Sequence, residues 1–273
     1  MRSFHVGGAE IGAERLCILA GPCVVESEEM CFEVASRLKS ACEARGLPLI
    51  FKASYRKANR SSASSFEGLP LAQALSVLGR VRHELGIPVL TDVHAESEIE
   101  AAAVVADVLQ IPAFLSRQTA LLAAAARTGL AVNVKKGQFL APDDMANVVE
   151  KLVAAGCDRL MLTERGTSFG YHDLVVDMRG LVTMRELNWP VVYDATHSLQ
   201  KPGGRESGGD RRFAFPLMRA AVACGIDGLF FETHPDPPRA KSDAATQLPL
   251  ALAESFLDEA LRVRETVATS PHA

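Results

Sequence analysis

Four cations crowd one short stretch, Lys52-Ala-Ser-Tyr-Arg-Lys-Ala-Asn-Arg-Ser-Ser62, directly behind the apolar run Leu49-Ile50-Phe51. A phosphate accepts several charge-assisted hydrogen bonds at once, so lysine and arginine beside serine hydroxyls and backbone N–H groups are the donors it needs. Lys135 and Arg165 stand behind two further apolar runs, and with Lys52, Lys57 and Arg60 they would neutralise more than one phosphate or carboxylate. That chemistry belongs to a strongly anionic substrate. A second set, Cys23, His197, Glu232 and Asp243, offers a thiolate, an imidazole and two carboxylates, donors that suit Zn2+, Fe2+ or Mn2+. Plainer readings exist for both sets. A charged surface loop explains any one of the cations, a cysteine after Gly-Pro is often a small buried residue, and His197 could bond a loop. Spacing alone leaves the metal question open.

What would bring these residues together is the pattern of elements between them. Eight short apolar runs, at 17–23, 48–54, 88–93, 108–112, 131–136, 159–164, 190–194 and 228–233, read as strands and alternate with helix-compatible segments. Gly46, Gly86, Gly129, Gly156 and Gly225 fall where helices would end, and Pro48, Pro88 and Pro190 where strands would start. Asp143 and Asp144 are candidate caps for a helix whose apolar face would carry Val148, Val149, Leu152 and Val153. An open doubly wound sheet has the same local signature as a closed barrel, but no Gly-x-Gly-x-x-Gly follows the first run. The length of 273 residues is close to the roughly 250 typical of a (β/α)8 barrel. The expectation is therefore α/β: one TIM-barrel domain over residues 1–273, with residues 1–16 as a β-hairpin cap at its base.

In such a barrel the chemistry sits at the C-terminal ends of the strands. The polar residues expected there are Cys23 and Glu26; Lys52, Lys57 and Arg60; Asp92 and His94; Gln110; Lys135 and Lys136; Glu164 and Arg165; Asp194 and His197; Glu232 and His234. The Gly-rich, basic segment 198–212 after the seventh run is long for a connection and reads as a mobile lid.

Composition limits the alternatives. A net charge of −4 gives no reason to expect a nucleic-acid partner, and 48% hydrophobic with 23% charged residues is ordinary for a water-soluble domain. Six cysteines without a C-x-x-C pair suggest a reducing compartment, the N-terminus carries no apolar signal stretch, and no apolar run is long enough for a membrane span. The expected location is cytoplasmic.

Six motifs then carry a resemblance. Lys52 to Ser62, Gln110-Ile-Pro-Ala-Phe-Leu-Ser-Arg-Gln-Thr119, Asn133-Val-Lys-Lys-Gly-Gln-Phe139, Glu164-Arg-Gly-Thr-Ser-Phe-Gly-Tyr171, Asp194-Ala-Thr-His-Ser-Leu-Gln200 and Phe231-Glu-Thr-His-Pro-Asp-Pro237 closely resemble the 3-deoxy-D-manno-octulosonate 8-phosphate synthase family. The resemblance implies a homotetrameric barrel that condenses phosphoenolpyruvate with D-arabinose 5-phosphate for lipopolysaccharide synthesis. It implies a phosphoenolpyruvate clamp of Lys57, Lys135 and Arg165, with Lys52, Gln110, Gln200 and the Ala113 backbone beside it. Asn59, Arg60 and Ser61 would hold arabinose 5-phosphate, and Arg117 would reach a neighbouring subunit's sugar phosphate.

The same family divides into a metal-dependent class with Cys after the first strand and a metal-independent class with Asn there. Cys23 places this chain with the former, and His197, Glu232 and Asp243 match the remaining ligands of a divalent ion. Lys57, Lys135, His197 and Asp243 are the implied catalytic residues, the last two as candidates for proton handling. Arg56 and Thr233 depart from the family's usual Asp and Val. Alternatives are the sister 3-deoxy-D-arabino-heptulosonate 7-phosphate synthases, a Schiff-base aldolase using Lys135 or Lys52, and a barrel that only binds sugar phosphates.

Overall fold

Strict alternation builds a sheet with two apolar faces. In Cys17–Gly21 the side chains of Cys17 and Leu19 join an inner cluster, while Ile18 and Ala20 join an outer one beneath the helices. The computed structural model, which describes residues 1–58, 66–203 and 208–268, repeats this pattern around one barrel. Its strands are β1 (Cys17–Gly21), β2 (Leu49–Lys52), β3 (Val89–Asp92), β4 (Val108–Ile111), β5 (Ala131–Lys135), β6 (Leu160–Glu164), β7 (Val191–Asp194) and β8 (Gly228–His234). All pair in parallel with their chain neighbours. The pairing of β8 with β1, from Gly228↔Cys17 to Glu232↔Gly21, closes the ring.

One helix follows each strand: α1 (Glu28–Glu43), α2 (Leu71–Leu85), α3 (Glu96–Val105), α4 (Thr119–Arg127), α5 (Met145–Ala154), α6 (Arg179–Arg185), α7 (Ala214–Ala223) and α8 (Ala253–Ala268). The expected punctuation is present. Gly86 ends α2 in the left-handed region at φ 65°, where its N–H reaches Arg82 O at 3.1 Å, and the other four expected glycines are left-handed too. Pro48, Pro88 and Pro190 lie one residue ahead of their strands, and their carbonyls accept from Ile18, Phe51 and Leu162 N–H at 2.8–2.9 Å. The missing N–H thus costs the ladder nothing.

Helix α5 differs from expectation in two ways. Asp144 is already helical at φ −61°, and its Oδ2 accepts from Ala141 N–H in the preceding turn instead of capping the helix. Its buried face is Met145, Val148 and Leu152, with Val153 47% exposed, because a 3.6-residue period carries position 153 round to solvent.

The N-terminal residues form the expected hairpin, Phe4–Val6 against Ala9–Ile11. Its Phe4, Val6, Ala9 and Ile11 side chains pack into the inner cluster with Leu19, Ile50, Leu90, Met161 and Phe230, and so plug the base of the barrel. Arg2 N–H reaches Asn188 O at 3.3 Å and ties the plug to the loop before β7. Ile11→Ala should destabilise the fold by about 2–5 kcal/mol, since its side chain is fully buried and the barrel wall cannot collapse onto the void. A shifted denaturation midpoint in urea checks this.

Two small hairpins stand at the opposite end. Gln200 and Lys201 pair with Gly209 and Gly208, and Val175 and Leu174 with Thr167 and Ser168. They meet where the His172 ring Nδ1 lies 2.9 Å from Pro202 O. The expected lid, 198–212, is thus drawn into antiparallel pairing at its ends, and residues 204–207 lie outside the described residues. Among the described residues no helix is long and apolar enough to cross a membrane.

Candidate active site

At the strand ends the inward positions turn from apolar to polar. Lys52 on β2, Asp92 on β3, Gln110 on β4, Asn133 and Lys135 on β5, Thr163 on β6, Asp194 on β7 and Glu232 on β8 are all buried. Five polar side chains form one hydrogen-bonded arc. Thr163 donates to Asn133 (2.6 Å), Asn133 to Gln110 (2.8 Å) and Gln110 to Asp92 (2.6 Å), while Ser54 donates to the other Asp92 oxygen. A buried polar network this complete fixes rotamers, because each unmade bond would leave a desolvated group unpaired.

Above the arc opens a cavity of about 320 Å3, lined by Lys52, Lys57, Lys135 and Arg165 together with Asp92, His94, Gln110, Ala113, Gln138, Asp194, His197, Gln200, Ser242 and Asp243. The cations are held by carboxylates. Lys52 Nζ lies 2.6 Å from Glu232 Oε1 and 3.0 Å from Cys23 O, and Lys57 Nζ is 3.7 Å from the same Glu232 oxygen. Lys135 Nζ pairs with Asp194 Oδ2 at 2.5 Å and stands over the Phe230 ring, 3.2 Å from its centroid. Arg165 Nη2 donates to Gln200 Oε1 at 2.8 Å, while its buried Nη1 has no partner among the described residues.

These contacts set the charges. Burial pushes Lys135 down to about 8, with Asp194 pulling the other way. For Lys57 the opposite balance holds: burial would lower it, but Cys23 and Glu232 raise it well above the ordinary lysine value. Burial would raise Asp243, Glu232 and Asp194. Lys57 and His197 nevertheless hold Asp243 at about 2, Lys52 and His197 hold Glu232 low, and His197 and Lys135 hold Asp194 well below the carboxylate range. Burial pushes the Cys23 thiol up, and Asp243 and Glu232 push it further.

The metal candidates sit together at the edge of the cavity. Cys23 Sγ and one oxygen each of Glu232 and Asp243 lie within 4.8 Å of one another, and Cys23 Sγ donates to Asp243 Oδ2 at 3.0 Å. His197, the fourth expected ligand, stands beside this cluster and outside its mutual 4.8 Å spacing. Its Nδ1 is 2.8 Å from Asp194 Oδ2, which leaves Nε2 facing the cluster, 3.6 Å from Glu232 Oε1. A carboxylate behind the far nitrogen of a histidine is the usual support of a metal-binding imidazole. Glu232 Oε2 is buried with no partner among the described residues, an open acceptor inside a thiol, imidazole and carboxylate set. These residues fit a divalent ion.

Nine of the residues expected at the site line the cavity: Lys52, Lys57, Gln110, Ala113, Lys135, Arg165, His197, Gln200 and Asp243. Cys23 and Glu232 are fully buried beside it. Arg117 does not join them. It is exposed beyond the turn Ala113–Leu115, and its carbonyl accepts from Lys151 Nζ at 3.2 Å. Asn59, Arg60 and Ser61 lie outside the described residues. Lys136 and Glu164, expected at the mouth, are corrected: they face away from the cavity and pair with each other at 3.6 Å, because alternation that turns Lys135 and Thr163 inward turns their neighbours outward.

The two departures from the family pattern are also accounted for. Arg56 pairs with Glu98 at 2.5 Å, and Thr233 donates its hydroxyl to Leu248 O at 2.8 Å. Gln138 and Ser242 reach the cavity from loops, where no periodic pattern marks them in the sequence. Asp92, His94 and Asp194, expected at the mouth from strand position alone, line the cavity as well.

The chain is similar to known proteins over nearly its whole length. The model of the DAHP synthetase I family matches residues 6–269. A 2-dehydro-3-deoxyphosphooctonate aldolase of Trichlorobacter lovleyi is 54% identical over 253 residues, covering 92% of this chain and 93% of its own. Proteins of the same name from Thioalkalivibrio sulfidiphilus and Paraburkholderia xenovorans are 55% identical over 251 residues and 53% identical over 275 residues. These alignments cover 91% and 97% of this chain, and 90% and 97% of the relatives.

Proposed function

The chain belongs to the DAHP synthetase I family, and from that premise we propose that it is a 2-dehydro-3-deoxyphosphooctonate aldolase, a synthase that condenses phosphoenolpyruvate with D-arabinose 5-phosphate and water. The observation that carries the reading is the convergence of Lys57, Lys135 and Arg165 on one cavity beside the Cys23, Glu232 and Asp243 cluster. Carbon 3 of phosphoenolpyruvate attacks the aldehyde, water adds at carbon 2, and phosphate leaves with cleavage of its carbon–oxygen bond.

Lys135 and Arg165 bind the anionic donor, and the unpartnered Arg165 Nη1 is a donor ready for one of its oxygens. Lys57 and Lys52 balance the carboxylate cluster, and the fixed cations stabilise charge as it develops in the transition state. Cys23, His197, Glu232 and Asp243 would hold a divalent ion, which supplies Lewis-acid polarisation or a more acidic water. His197 and Asp243 are placed to move a proton at its edge. The reading extends to a cytoplasmic homotetramer serving lipopolysaccharide synthesis, with Asn59, Arg60 and Ser61 on the sugar phosphate. The exposure of Arg117, away from its own cavity, supports a role at a subunit interface.

Phosphate release from phosphoenolpyruvate, assayed with arabinose 5-phosphate and with erythrose 4-phosphate, before and after chelation and metal return, tests the proposal. Turnover with the pentose phosphate that vanishes on chelation and returns with the ion is the expected result. Turnover with the tetrose phosphate alone would assign the chain to the sister activity instead.

The position of Lys135 adds a pH dependence. Its ammonium must be charged to bind the donor, and burial pushes it down to about 8, so kcat/KM for phosphoenolpyruvate should fall as pH rises through that value. A profile level from pH 7 to about 10 would mean that Asp194 keeps Lys135 protonated over that range or that its charge does not matter.

A further inference from the structure

Three segments carry the Cys23, Glu232 and Asp243 donors, and one side chain outside the cavity belongs to the first and touches the other two. Glu26 follows Cys23 by three residues in the loop after β1. Its Oε1 accepts from Lys241 N–H at 2.9 Å, two residues before Asp243, and lies 3.7 Å from His234 Nε2, two residues after Glu232. The direction of the second contact is fixed: Asp236 N–H donates to His234 Nδ1 at 2.9 Å, so the ring proton sits on Nε2 and points at Glu26. Both side chains are nearly enclosed, 10% exposed for Glu26 and 9% for His234.

A second tie runs beneath the first. Gln247 is fully buried; its Nε2 donates to Ser242 O at 2.8 Å and its Oε1 accepts from Cys23 N–H at 3.4 Å. One amide therefore spans the residue before Asp243 and the backbone of Cys23 itself. Asp243 needs such support, since it sits in the left-handed region at φ 49°, which a non-glycine residue keeps only where its surroundings hold it.

We propose that Glu26 and Gln247 are positioning residues, a two-point brace that sets the spacing of the Cys23, Glu232 and Asp243 donors and so tunes the affinity for the divalent ion. The inference rests on the metal reading above. Neither residue lines the cavity. Their hydrogen bonds end on the backbone beside the ligands, and outer-shell partners of metal ligands typically change metal affinity by about 10–100-fold when removed, which sets the scale expected here.

The test uses the full chain with Glu26→Ala, Glu26→Gln and Gln247→Leu, titrated with Co2+ against a chromophoric chelator, with the thiolate-to-cobalt charge-transfer band as a direct reading of Cys23. Glu26→Ala and Gln247→Leu should each raise the Co2+ dissociation constant by about 10–100-fold and weaken the band, while the far-UV circular dichroism of the metal-free protein stays unchanged. Glu26→Gln keeps an acceptor for Lys241 N–H and should recover most of the loss. Wild-type affinity in both Glu26→Ala and Gln247→Leu overturns the brace alone. Absence of Co2+ uptake by the wild-type protein overturns the metal reading and the brace with it. A variant that does not fold is set aside, and the affinities of the folded ones decide the matter.

Discussion

Lys135→Met should lower kcat/KM for phosphoenolpyruvate by about 10^3-fold, roughly 4 kcal/mol of transition-state stabilisation. The size follows from where the ammonium sits. It is 4% exposed, at the inner end of β5, over the Phe230 ring and against Asp194, in a setting where water cannot stand in for a lost charge. Methionine keeps the length of the stem and removes only the cation. Asp194 then loses one partner but keeps three, the backbone N–H groups of Thr196 and His197 and the imidazole Nδ1. The stability loss should therefore lie near the lower end of the roughly 3–5 kcal/mol for breaking a buried pair. Steady-state kinetics with varied phosphoenolpyruvate, beside a urea midpoint, separate the two effects. A fall in kcat/KM of less than about tenfold would remove Lys135 from the donor site. Borohydride with either substrate should leave the wild-type chain unmodified, since in the proposed reaction the lysine acts as a charge and not as a Schiff-base nucleophile.

Cys23→Asn should abolish tight metal binding. The thiol is fully buried 3.0 Å from Asp243 Oδ2 and would contribute the soft ligand of the proposed set; a neutral amide replaces it with a weak oxygen donor. Metal measured after dialysis should fall from about one equivalent to a small fraction, and turnover that remains should be indifferent to chelators. Retention of the full metal complement would take Cys23 out of the ligand set. Asn is also the residue that the metal-independent class of the resembled family carries at this position, so the substitution asks whether the remaining residues can work without an ion.

How much of this was legible beforehand varies residue by residue. The eight strands were, because each is an apolar run with a polar tip and most start behind a glycine or proline; their number pointed to the barrel, which the pairing of β8 with β1 closes. The lysines of the clamp were legible as charges at strand ends. Their direction follows from the same runs: the two-residue period that turns Lys135 inward also turns Lys136 outward to Glu164. Gln138 and Ser242 could not be found that way, since loop residues obey no period. Neither could the arc from Ser54 to Thr163, which exists only because four neighbouring strands share a register. Asp144 failed as a helix cap for a similar reason. Residue type marks it as a capping residue, but whether the backbone has already turned helical is decided by the preceding turn.

The hairpin of Phe4–Val6 and Ala9–Ile11 seals one end of the barrel, so the cavity is a blind well. Traffic through it is last in, first out. A ligand resting on Lys52 and Lys135, near the floor, has to arrive before anything seated higher and cannot leave until the upper occupant has gone. With phosphoenolpyruvate on the proposed clamp, initial-rate kinetics with both substrates varied should then show an ordered sequence led by the donor.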